Sequence, residues 1–311
     1  MKVPNSFASW AADHIKGHLR EARTDQPGGT LRSAPGASCG ACTERTSASS
    51  SLGFTSERRH SMTDLSGLRA LVTGGSSGIG AATAKAFFNQ GMRVAISGRN
   101  VDALRDVAAS VKGPYLPGDL REVGCAHAIV DAAAKSLGGL DVVVSNAGVG
   151  WAGPFLSMSE AEIDVLIDVN LRAALQLARF AVPHLQDGHG RIVFVGSIAG
   201  LVGVPGEACY SVTKAALSCM TDVLREELRP MGIGVSLITP GAVNTPFFER
   251  RQVPYVRRRP QMLSAEEVAN AIVDVIVHER DHVVTPAWLS IPARLKRNLP
   301  NAYRVLANRF S

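Results

Sequence analysis

No stretch of about eighteen consecutive apolar residues occurs in this chain, so no membrane-spanning helix is expected. The first residues also lack the apolar core of a secretory signal, which points to the cytoplasm. Cysteine is scarce: Cys39, Cys42, Cys125, Cys209 and Cys219 are the only five in 311 residues, too few and too scattered for a disulfide framework. Cys39 and Cys42 have C-x-x-C spacing, but no second Cys/His pair stands nearby to complete a tetrahedral zinc site. The pair reads as incidental, and no metal is expected. Acids are missing altogether from residues 287–311, which hold five Lys/Arg, while residues 1–61 hold eight Lys/Arg against five Asp/Glu. The formal net charge of +6 therefore sits largely at the two ends, and no nucleic-acid partner is expected.

Periodicity is missing too, but only at the start. Residues 1–61, with stretches such as "QPGGTLRSAPGASCG", show neither a two-residue nor a 3.6-residue period and are expected to be a disordered extension. They scatter too many acids for a transit peptide; Met62 is expected to be the biological start, with residues 1–61 an over-extended reading frame. From there short apolar runs ("RALVTGG", "RVAISGR", "GPYLPGDL", "LDVVVSNAG", "GRIVFVGS", "IGVSLITPG") alternate with helical patterns. One of these patterns, residues 160–185, reads as a single long helix. Strands apolar on both faces that alternate with helices imply an α/β fold. The expected domain is one Rossmann-like doubly wound parallel sheet of about seven strands over residues 62–286, helices on both faces.

"TGGSSGIG", residues 73–80, joins the first run to the first helix. Gly74 and Gly78 allow backbone conformations that a Cβ would block, and Gly80 lets helix and sheet approach. A diphosphate can then sit against the first N–H groups of that helix. At the end of the second run, Gly98 stands where an NAD-binding fold carries an acid, and Arg99 follows. An arginine there can fork onto a 2′-phosphate, so NADP is favoured, with NAD the alternative.

Thr73-Gly74-x-x-x-Gly78-Ile79-Gly80, "SNAG" at 145–148, Asn170, Ser197, Tyr210-x-x-x-Lys214 and "PGAVNT" at 240–245 stand in the order and spacing of one family. The chain resembles the short-chain dehydrogenase/reductase family over roughly residues 66–286. The resemblance implies a cofactor site at Thr73, Gly74, Ser76, Ser77, Gly78, Ile79 and Gly80. It implies Asp119, beside Leu120, on the adenine, and Asn146, Ala147 and Gly148 behind the fourth strand. It also implies Pro240 and Gly241, with Val243 and Thr245 meeting the nicotinamide carboxamide. Tyr210 and Lys214 belong to both the cofactor and catalytic sets. The family usually has Asn where this chain has Ser145, which alters only local hydrogen bonding.

The same resemblance makes Asn170, Ser197, Tyr210 and Lys214 the catalytic set. Hydride delivered to a ketone leaves an alkoxide that needs a proton. Tyr210 can supply it, with Lys214 one helical turn on, where its charge is expected to lower the phenol pKa. Ser197 would hold the substrate oxygen, and Asn170 would hold a water that renews the proton.

Residues 246–263 occupy the place of the family's variable substrate lid. Phe247, Phe248, Tyr255, Val256 and Met262 suit an apolar carbonyl or alcohol; Arg250, Arg251 and Arg257–Arg259 suit either an anionic carrier or a solvated rim. In residues 287–311, Ile291, Leu295, Leu299, Tyr303, Leu306 and Phe310 draw an apolar stripe that Pro300 should break into two short helices. With Trp288 and its basic charges, the segment has three open settings: a membrane interface, its own subunit, or a dimer contact. The expected activity is an NADP-dependent oxidoreductase that interconverts a lipophilic carbonyl compound and a secondary alcohol, as a homodimer or homotetramer. Its alternatives are a β-ketoacyl thioester reductase and a non-catalytic dinucleotide-binding regulator.

Overall fold

The computed structural model describes residues 64–185, 190–251, 253–255 and 261–309, and among residues 306–309 the backbone alone. The expectations for residues 1–61, Met62, Val256, Arg257–Arg259, Phe310 and the Leu306 side chain lie outside what is described.

Seven strands form one sheet: β1 (Arg69–Thr73), β2 (Arg93–Gly98), β3 (Tyr115–Pro117), β4 (Val142–Ser145), β5 (Arg191–Val195), β6 (Gly234–Pro240) and β7 (His282–Thr285). Their order is β3-β2-β1-β4-β5-β6-β7, every pair parallel. The order reverses between β1 and β4, and this opens a crevice at the carboxyl ends of those strands.

Alternation along each strand builds two cores. Leu71, Val143, Ile192, Phe194 and Leu237 point to one face, against α3 (Cys125–Leu137), α5 (Ala173–Ala181) and α7 (Ala208–Leu228). Val72, Ile96, Val144, Val193 and Ile238 point to the other, against α1 (Gly78–Asn89), α2 (Val101–Val111) and α9 (Ala265–Val277). With both faces covered, the strands are apolar throughout, as a parallel sheet requires.

Local chemistry sets the helix starts. Asn100 caps α2 by accepting from the Ala103 N–H at 3.0 Å. Ser-x-x-Glu boxes open α4 (Glu160–Ile167) at Ser159 and Glu162, and α9 at Ser264 and Glu267.

The long helix expected over 160–185 forms, but it changes type along its length: α4 passes through a π-helical turn at Asp168–Arg172 into α5 and ends in a 3₁₀ turn at Val182–His184. Pro183 lacks the N–H that would continue α5. Asn170 lies in the π turn, where its side chain bonds another segment's backbone; such inserted turns often accompany functional sites.

Candidate active site

The carboxyl ends of β1 and β4 are tied together by one threonine. Thr73 Oγ1 donates to the Val144 carbonyl at 3.2 Å and accepts from the Asn146 and Ala147 N–H groups, each at 3.1 Å. The Asn146 amide donates to the Thr73 carbonyl at 2.8 Å. Between them the glycine turn is too tight for side chains. A Cβ on Gly74 would lie 2.8 Å from Asn146 Nδ2, and one on Gly80 would collide with the Gly74 carbonyl. Ser77, at the N-cap position of α1, makes no side-chain capping bond, and the first turn holds no acid. Those backbone donors are therefore available to an anion, which the turn's chemistry fits.

A cavity of about 1120 Å³ spreads from this turn. Gly74, Ser76, Ser77, Gly78 and Ile79 line one end, with Arg99, Asp119 and Leu120 beside them. Asn146, Ala147 and Gly148 form its floor, and Pro240, Gly241, Val243 and Thr245 a side wall. Ser197, Tyr210 and Lys214 reach in from the far side. Thr73 and Gly80 are buried behind the wall and shape the turn from there, and Asn170 is buried beneath the floor.

At the rim, Asp119 is held below the usual carboxylate range, mainly by its hydrogen bond with Arg121, whose Nη2 is 2.6 Å away. Arg99 is 55% exposed and stands 3.9 Å from Asp119, a loose pairing that leaves its fork free to turn. Gly98 lies beside the Ser76 hydroxyl, so no carboxylate occupies the end of β2.

At the centre, Ser197 stands at the end of β5 and starts the short helix α6 (Ile198–Val202), with its Oγ accepting from the Ala199 N–H at 3.2 Å. Tyr210 and Lys214 share the inner face of α7. Lys214 Nζ donates to the Val195 carbonyl at 2.9 Å and lies 5.9 Å from the Tyr210 ring centre. Burial lowers its pKa to about 8.

The phenol is not lowered as expected. Burial pushes Tyr210 up to about 12, against the smaller downward pull of its hydrogen bond with Ser197. Glu207 pushes it further up, while Arg251 draws it down. The Lys214 ammonium is turned to a carbonyl, and desolvation of the phenolate outweighs any help from it.

Asn170 holds the floor. Its Oδ1 accepts from the Val149 N–H at 2.8 Å, and its Nδ2 donates to the Val149 carbonyl at 2.9 Å and to Thr213 Oγ1 at 3.2 Å.

The lid side brings together Phe247, Phe248, Tyr255 and Arg251, which the sequence marks out, and Glu207, which it does not. One turn of helix, α8 (Phe247–Arg250), follows Thr245. The Phe247 ring centre is 5.6 Å from that of Tyr210, and Phe248 packs on Phe247 and Tyr255. Arg251 is neither a solvated rim nor a free cation: its side chain is 6% exposed, 2.6 Å from Glu207, and stacked over Phe248. Glu207 carries no motif, and only the fold brings it here.

Trp288, Leu289, Pro292 and Tyr303 also line the cavity. They come from α10 (Ser290–Asn298), α11 (Pro300–Arg309) and the turn before them, the two helices meeting at Pro300. Lys296 Nζ donates to the Val202 carbonyl at 2.6 Å, so this segment packs on its own subunit. The expected stripe does not turn inward as a unit, because Ile291 is 66% exposed while Leu295 and Tyr303 are half-buried. Among the described residues no helix is long and apolar enough to cross a membrane, and no cluster of His, Cys, Asp or Glu could hold a metal.

A family model described as short chain dehydrogenase matches residues 69–254. The chain belongs to the short-chain dehydrogenase family, a family of oxidoreductases. It is 32% identical to the ketoacyl reductase HetN of Nostoc sp. over 229 residues, covering 72% of this chain and 80% of the relative. A Burkholderia cenocepacia short-chain dehydrogenase solved with NADP is 30% identical, with a TM-score of 0.67 over 73% of this chain and 99% of that one. A Burkholderia phymatum short-chain dehydrogenase/reductase solved with NAD is 25% identical, with a TM-score of 0.69 over 76% of this chain and 95% of that one. Dehydrogenases of this fold have thus been solved with either dinucleotide, and the residues around β2 must decide between them here.

Proposed function

We propose that this dehydrogenase uses NADP to interconvert a lipophilic carbonyl compound and a secondary alcohol. The observation that carries the reading is the single cavity that joins the glycine turn to Tyr210 and Ser197. Its size exceeds the roughly 300–1,000 Å³ of an ordinary ligand pocket, room for a dinucleotide and a bulky second molecule. NADP is favoured over NAD because Gly98 replaces the ribose-binding acid and Arg99 stands exposed at the rim, only loosely paired with Asp119. The nicotinamide supplies or accepts the hydride when bound.

In this reading the glycine turn and the first N–H groups of α1 hold the diphosphate, and Val243 and Thr245 face the carboxamide. Ser197 orients the carbonyl oxygen, and Tyr210 donates a proton to it in reduction or removes one in oxidation. Burial keeps the phenol protonated at neutral pH, so it enters the reduction direction carrying its proton. Lys214 stands next along the proton's path, and Asn170 holds the Val149 turn beside it. Phe247, Phe248, Tyr255 and Trp288 give the substrate end an apolar wall. Exposed Leu175 on α5 and Val212 and Val223 on α7 suit pairing of two copies through these helices.

The likeness to a ketoacyl reductase favours one second reading, a β-ketoacyl thioester as substrate. Burial of Arg251 against Glu207 removes one of the cations that would greet its anionic carrier. The test follows NADPH and NADH oxidation against a bulky ketone, a β-ketoacyl thioester and a small diketone, at low and high salt. Turnover of the bulky ketone with NADPH, insensitive to salt, supports the proposal. A salt-sensitive preference for the thioester would replace it with the second reading.

A further inference from the structure

Two arginines adjoin on the lid, and their settings differ. Arg251 has a carboxylate partner in Glu207. Arg250 has none among the described residues; its one bond runs from Nη2 to Ser77 Oγ, at 2.8 Å across 173 residues of sequence. Ser77 is the N-cap residue of α1, so an exposed guanidinium is held beside the positive end of a helix with no acid in its first turn. Like charge meets like there, an arrangement that an anion between them would stabilise. Four of the five guanidinium N–H donors remain for such an anion. Nearby, Thr245 lies over Gly78, where a Cβ would come within 3.0 Å of the threonine methyl. The segment from Thr245 to Arg250 therefore roofs the glycine turn.

We propose that Arg250 binds the cofactor's diphosphate from the lid side, opposite the α1 N-terminus, and thereby makes cofactor binding seat the substrate wall. This rests on the reading of the cavity as a dinucleotide site. The link is mechanical: the same turn of helix carries Arg250 at one end and Phe247, against Tyr210, at the other. Arg251 then pins the following residue to Glu207, at the start of the catalytic helix. Arg99 has a different part, since it follows Gly98, which adjoins Ser76 rather than Ser77.

Calorimetric binding of NADPH, NADH, ADP-ribose and adenosine 2′-phosphate to the full chain separates these roles without turnover. Arg250→Ala should weaken NADPH, NADH and ADP-ribose alike by roughly tenfold or more, the loss of a charge-assisted contact. Adenosine 2′-phosphate, which has no 5′ phosphate, should bind Arg250→Ala as it binds the wild type. Arg250→Lys should recover part of the loss. Arg99→Ala should show the opposite pattern, weakening NADPH and adenosine 2′-phosphate while sparing NADH. At saturating NADPH, Arg250→Ala should also raise the KM for the carbonyl substrate. Unchanged ADP-ribose affinity in a folded Arg250→Ala variant would overturn the proposal. Failure of the wild type to bind any dinucleotide would instead overturn the reading beneath it.

Discussion

The two ends of the cavity are built on different principles. At the glycine-turn end the wall is backbone and small side chains: Gly74, Gly78 and Gly80 fit where a Cβ would strike a neighbour, and Thr73 ties β1 to β4. At the lid end the wall is large side chains from three separate segments: Phe247 and Phe248, Glu207 with Arg251, and Trp288 with Tyr303. The first is rigid because the sheet dictates it. The second is a set of pairings between separate segments that can be exchanged one at a time.

This contrast makes predictions of decreasing size. At the junction of the two ends, Tyr210→Phe should lower turnover by about 10²–10⁴, the range for a lost general acid, with dinucleotide affinity nearly unchanged. Near-normal steady-state rates would remove Tyr210 from the chemistry. Within the lid, Arg251→Met leaves Glu207 largely buried and unpaired and should cost about 3 kcal/mol in denaturant unfolding. The double variant Glu207→Gln/Arg251→Met should recover part of that, and additive losses would show that the pair is not coupled.

The buried pair on α7 predicts a pH signature. Lys214 is held near 8 against an ordinary 10.5, so between those values the unfolded chain keeps a proton that the folded one has released. Stability should rise with pH across that window. Tyr210 is held near 12 against 10.0, so the folded chain keeps the extra proton there and stability should fall from about pH 10 to 12. Urea unfolding across this range should lose the rise in Lys214→Met and the fall in Tyr210→Phe. The smallest effect belongs to the rim: Trp288→Ala should raise the KM for a bulky ketone severalfold and leave NADPH binding alone. A matching loss of NADPH affinity would blur the division between the two ends.

Much of the glycine-turn end was legible from the chain because it depends on short spacings. Glycines at 74, 78 and 80 after an apolar run describe a strand, a turn and a helix start within eight residues. Tyr210 and Lys214, four apart, share a helix face by geometry alone. Other features were legible only in part. Asn170 could be placed in a helix, but not in a π turn with its amide on the Val149 backbone. Asp119 could be placed near the cofactor end, but not paired with Arg121. The lid arginines could be counted, but their partners lie 44 and 173 residues away.

The sequence by itself determined the alternating α/β fold, the glycine turn and the shared helix face of Tyr210 and Lys214, because each is a local pattern of period or spacing; Ser197 joined them only through the family resemblance. Only the tertiary structure decided that Arg251 is buried on Glu207, that Arg250 reaches Ser77, and that the C-terminal helices wall the cavity. It also decided that burial, rather than the nearby lysine, sets the direction of the Tyr210 pKa. Those outcomes depend on distances between segments far apart in the chain and on how deeply each charge is withdrawn from water, which no local spacing records.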